Sequence, residues 1–138
     1  MISEEPNTAR QENSKAGGFK DLLVWQKGMA LAKNIYGITQ AFPDHERFGL
    51  VSQMRRAAVS IPSNLAEGQA RHTTKEFIQF IYHAEGSLAE LETQLILAND
   101  LSYCLPRQAE QPQEAFRLIS DLRNMLNALR RTLARKAP

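Results

Sequence analysis

Residues 73–98 read TTKEFIQFIYHAEGSLAELETQLILA. Within this stretch Phe77, Ile81, Ala84, Leu88, Leu91, Leu95 and Ala98 recur at alternating spacings of four and three. Such a period keeps one apolar seam on one side of an α-helix and predicts left-handed, near-antiparallel packing against other helices. A strand would repeat every second residue instead. The start is written locally too. Thr73-Thr74-Lys75-Glu76 places a hydroxyl three residues ahead of a glutamate, the capping-box pattern that satisfies the first orphan amides of a helix.

Upstream, the spacing predicts a helix from Asp44, read as its cap, to Gln69, with Leu50, Met54, Ala58, Ile61 and Leu65 as the inward row. Pro62 lacks an N–H and crowds the preceding turn, so a kink is expected there. Before it, a helix from Asp21 (its N-cap) to about Gln40 stops at Phe42-Pro43. This helix carries two apolar rows on roughly opposite sides: Leu22, Trp25, Met29, Ala32 and Tyr36, and Val24, Leu31, Ile35 and Ile38. One bundle contact needs only one of them. Downstream, the chain turns between Tyr103 and Pro106, and a last helix runs from about Pro112 or Gln113 to Arg135. Its row is Ala115, Leu118, Leu122, Met125, Leu129 and Leu133. The fold expected is all-α, an antiparallel up-down-up-down four-helix bundle over residues 19–138, kinked in its second helix at Pro62. Residues 1–18, rich in Glu, Asn, Gln and Gly, are expected to form a disordered tail.

The 138 residues suit one domain, and 43% apolar with 23% charged residues gives enough material for its core. Cys104 is the only cysteine, so no internal disulfide forms and a reducing compartment is favoured. With no apolar run long enough to span a bilayer and no leader-like start, the expectation is a cytoplasmic protein. A bundle can hold a di-iron centre through Glu-x-x-His pairs, yet no Glu here has a His three positions on, and His45, His72 and His83 are scattered. Cys104 has no plausible Cys-His partner spacing and glycine-rich phosphate loops are missing. The chain is therefore expected to use no metal or cofactor and to be no enzyme.

Two stretches stand out. In Gln53–Gly68, QMRRAAVSIPSNLAEG, a row of Arg56, Ser60, Ser63 and Glu67, flanked by Asn64, lies nearly opposite the apolar row. Short polar side chains let another helix come close and fix its register by hydrogen bonds; an ordinary solvated face would carry more Lys and Glu. Tyr82 and Gly86 lie on a related back face of the third helix. Together with the spare row of the first helix, these residues predict a homo-oligomer interface. The second stretch is basic. Arg117, Arg123, Arg130, Arg131, Arg135 and Lys136 face a single acid, Asp121, and would attract a phosphate backbone in a salt-dependent way. Three of them, Arg131, Arg135 and Lys136, are equally accounted for as complements to the helix dipole. Overall the charge is only +2, far from that of a dedicated nucleic-acid binder. No aromatic interleaving suited to stacking single-stranded bases appears along the chain.

The segments FKDLLVWQKGMALAKNIY, FPDHERFGLVSQMRRAAVSIPSNLAEGQAR and KEFIQFIYHAEGSLAELETQL resemble the four-helix bundle family known as 23S rRNA intervening-sequence protein or S23 ribosomal protein. The resemblance runs from Phe19 to Tyr103 with its landmarks in order: Trp25, Phe42-Pro43, Gly49-Leu50, Arg55-Arg56-Ala57, Ser60-Ile61-Pro62-Ser63-Asn64, Ala66-Glu67-Gly68 and Gly86-Ser87. Gly28 departs from the alanine expected there and should weaken its helix by about 1 kcal/mol. What the resemblance implies is a ring-forming bundle, a homopentamer; the reading taken from it together with the basic stretch is a non-enzymatic adaptor for RNA or an RNA-processing partner. Distantly similar bundles are accessory subunits that bind a reverse transcriptase in retroelements, which implies a second reading: a structural protein-binding ring.

Overall fold

The computed structural model describes residues 18–104 and 112–137. Four helices carry the fold: α1 Leu23–Thr39, α2 Leu50–Gln69, α3 Thr74–Asp100 and α4 Pro112–Lys136, with 3-10 turns at Gly18–Asp21 and Asp44–Glu46. The expected tail lies outside the described residues up to position 17, while Gly18 is buried in the first turn. Pro106 also lies outside them.

The α3 seam forms as its period demands: Ile81, Ala84, Leu88, Leu91, Leu95 and Ala98 are all buried. It meets Met54, Ala58, Ile61 and Leu65 of α2, the row Val24, Leu31, Ile35 and Ile38 of α1, and Ala115, Leu118 and Leu122 of α4 in one core. On α4, Ile119 and Leu126 are fully buried, whereas Met125, Leu129 and Leu133 sit at the margin, so the buried stripe is rotated from the one expected. Each helix packs against its neighbours in chain order, and α1 also packs against α4. Gly28 lies beside Ile61 and Pro62, and Thr39 beside Arg55. Ser60 meets Ser87 while Gly68 meets Phe80; Glu92 meets Arg123 while Glu85 meets Arg130. In each pair the residue numbers rise on one helix as they fall on the other. Pro62 is buried within the single element Leu50–Gln69.

Helix termini differ from the expectation in two places. Asp21 ends a 3-10 turn, and Leu22 holds the N-cap of α1 without a side-chain bond. Asp44 likewise opens a 3-10 turn rather than α2. Instead Glu46 Oε1 accepts from the Leu50 amide at 3.1 Å, capping α2 from one turn upstream. The α3 cap is as written in sequence, with Thr73 Oγ1 accepting from Glu76 N at 3.1 Å. Its far end closes in a Schellman arrangement: Tyr103 N donates to Ala98 O at 2.9 Å and Ser102 N to Asn99 O at 3.0 Å, with Ser102 in the left-handed region at φ 63°.

Candidate interaction surface

Two rows of apolar residues on α1 cannot both face one core. The second row places Trp25, Met29 and Tyr36, with Ala32 buried between them, opposite Val59, Pro62, Ser63 and Ala66 of α2, around an open cavity of about 580 Å³. Phe19 packs edge-on to Trp25 with ring centroids 5.4 Å apart and steadies the indole at one end. Tyr36 and Val59 remain 45% and 41% exposed, large values for side chains beside an apolar cavity.

Past Tyr36 and Val59 the groove continues into a second concavity of about 690 Å³, lined by Arg47, Phe48, Ser52, Arg55, Arg56 and Ser60 among others. Arg55 is fixed there. Its Nε donates to Thr39 Oγ1 at 2.9 Å, its Nη2 donates to the Tyr36 carbonyl at 3.3 Å, and its guanidinium lies 4.5 Å from the Tyr36 ring centroid. Arg47 stacks 5.5 Å from the centroid of Phe48, which is 89% exposed. Asp44 lines an adjoining depression with Arg47 and Arg55. None of Arg47, Arg55 and Arg56 forms an ion pair among the described residues. No aromatic interleaving runs along the sequence, but folding places Tyr36 and Phe48 in one concavity with Arg47, Arg55 and Arg56.

The polar stripe read from α2 divides among three surroundings. Ser60 Oγ and Ser87 Oγ lie 2.7 Å apart, and Asn64 Nδ2 donates to Ser60 O at 2.8 Å and to Ser60 Oγ at 3.0 Å, so these residues join α2 to α3 within one chain. Glu67 pairs with Arg71 at 3.0 Å. Arg56 and Ser63 stay exposed along the groove. Tyr82 and Gly86 lie on the outer face of α3; Arg130 covers the Tyr82 ring at 5.0 Å, and no atom approaches within 4 Å of where a Gly86 side chain would begin.

The basic stretch of α4 is less bare than its sequence. Arg117 pairs with Glu114 at 2.6 Å and Asp121 at 2.9 Å, Arg123 pairs with Glu92, and Arg130 pairs with Glu85 at 3.0 Å. The reading that a single acid faces these cations is thus corrected by three glutamates. Arg131, Arg135 and Lys136 are exposed, and Arg135 reaches Thr132 Oγ1 at 3.5 Å.

At the end of the groove beyond Arg47, Glu46 ties two elements together. Besides capping Leu50 it accepts from the Tyr103 hydroxyl at 2.9 Å, and the Leu50 amide, with help from that hydroxyl, holds its carboxyl below the ordinary range. Cys104 is half-buried, and burial pushes its thiol up. Among the described residues no three His, Cys, Asp or Glu side chains gather as metal ligands, and no helix is long and apolar enough to cross a membrane.

The profile of the 23S rRNA-intervening sequence protein family matches residues 20–128. The chain belongs to that family. The family match takes in α1, α2 and α3, hence every residue that lines the groove, and stops short of Arg130, Arg131, Arg135 and Lys136. Comparison with curated proteins gives no match.

Proposed function

We propose that this member of the 23S rRNA-intervening sequence protein family is a non-enzymatic, cytoplasmic, self-associating bundle, a ring of five copies by the resemblance in its sequence, acting as an RNA-associated adaptor. The observation that carries the reading is the apolar half of the groove, where Met29, Tyr36 and Val59 reach solvent beside the partly buried Trp25 and the buried Pro62. Covering such a surface gains about 25 cal/mol for each Å² of apolar area removed from water, and identical copies cover it through closed, symmetric contacts. RNA association draws its support from the family match.

Multi-angle light scattering on Val59→Glu tests the contact. The expected result is a fall in assembled mass with helicity retained, because Val59 is 41% exposed and outside the core. Full assembly of the variant would remove this face from the interface. A second reading, a structural ring that binds only protein, such as a reverse-transcriptase accessory, is favoured by the glutamates that neutralise Arg117, Arg123 and Arg130. It predicts no retention on immobilised RNA at any salt, whereas the adaptor reading predicts retention that falls steeply as salt rises.

A further inference from the structure

The polar half of the groove asks for a ligand different from the one that suits its apolar half. Three arginines line it with no ion-pair partner among the described residues, so it is a local positive field in a chain whose overall charge is only +2. Beside them Phe48 exposes 89% of its surface, which costs free energy unless a planar or apolar group covers the ring. The Arg47 guanidinium lies over one face of the ring at 5.5 Å, and the 89% exposure leaves the rest of the ring open to a flat partner. A polyanion that also presents flat, unpaired faces is a single-stranded nucleic acid. Stacking on an aromatic ring combined with a basic track along the backbone is how such strands are held without sequence preference. Duplex RNA hides its base faces.

The geometry points to the concavity around Arg47, Phe48 and Arg56 as a single-stranded RNA site, in which Arg47 and Arg56 hold phosphates and Phe48 stacks a base. Arg55, pinned by Thr39 and by the Tyr36 carbonyl, lends charge and covers the Tyr36 face, leaving Phe48 as the free platform. The assignment rests on the RNA-associated reading above and moves its contact from α4 to the groove.

Fluorescence anisotropy of a labelled, mixed-sequence single-stranded RNA, titrated with the full chain over a salt series, tests it. Each phosphate contact contributes about −0.7 to the slope of log affinity against log salt, so Arg56→Glu should flatten the slope by about that amount, while Arg56→Lys retains it. Phe48→Ala should weaken binding about tenfold with melting unchanged. A duplex of equal length should bind more weakly than the single strand. If Arg56→Glu and Phe48→Ala bind like the wild type while charge reversal at Arg131 and Arg135 abolishes binding, the RNA-associated reading stands and this site falls. Absence of RNA binding at low salt overturns both. Displacement of the RNA by polyglutamate would assign the groove to an acidic peptide, and a loss of assembled mass in Phe48→Ala with RNA affinity intact would assign it to a copy of the chain; either result overturns the proposal.

Discussion

The guanidinium of Arg130 lies against the carboxylate of Glu85, with Nε 3.0 Å from Oε1 and Nη2 3.2 Å from Oε2. Asn127 Oδ1 accepts from the same Nη2 at 2.8 Å, and Tyr82 takes the flat face of the group. A cation bound on two edges and one face serves the α3–α4 contact before it serves a ligand. Because the two side chains are only 24% and 23% exposed, a double-mutant cycle on Arg130→Ala and Glu85→Ala should give a coupling of about 1 kcal/mol in urea unfolding. A coupling of zero would return Arg130 to the solvated basic face.

Gly28→Ala should stabilise the protein by about 1 kcal/mol. A Cβ there would stand 3.5 Å from Ile61 Cγ2 and from Pro62 Cδ, ordinary contact distances, so the helix gains propensity and the α1–α2 packing gains a methyl without strain. Thermal unfolding reads the change, and a lower melting temperature would mean that α1 and α2 lie closer than described.

Gly68→Ala should act in the opposite sense. Its Cβ would fall 2.7 Å from Phe80 Cβ and 2.9 Å from Phe77 Cδ1, the first of these attached directly to the backbone, so α2 and α3 must move apart. Overpacking of this kind costs about 1–3 kcal/mol. Wild-type stability in denaturant would contradict the close approach of these helix ends.

Acid stability carries the mark of Glu46. The Leu50 amide and the Tyr103 hydroxyl lower its folded-state pKa, so its contribution is full above the pKa of the unfolded chain and is lost as pH falls through the folded value. Glu46→Gln should therefore melt earlier than wild type near neutral pH, and the gap should narrow as both are acidified below the ordinary carboxylate range. A gap independent of pH would assign the loss to shape instead of charge.

The helices and most of the core were legible because a period of 3.5 residues is a local property, as the burial of Ile81 through Ala98 illustrates. Helix starts were less so: Asp21 and Asp44 look like caps, but 3-10 turns take them up, and the cap of α2 comes from Glu46. The spare row of α1 was visible as a surplus of apolar residues. Its continuation into an arginine and aromatic cluster was not, since Tyr36, Phe48 and Arg55 come together only when α1, α2 and their connection pack. Charge on α4 misled for the same reason: Glu92 and Glu85, the partners of Arg123 and Arg130, lie 31 and 45 residues away along the chain.

Sedimentation velocity of the wild-type chain over a dilution series bears most directly on the unclaimed side of α1. The account predicts a species several times the 15.6 kDa of one chain, dissociating on dilution as the emission of Trp25, the only tryptophan, moves to the red. A single species at one chain's mass at every concentration, with Trp25 emission constant, would contradict it.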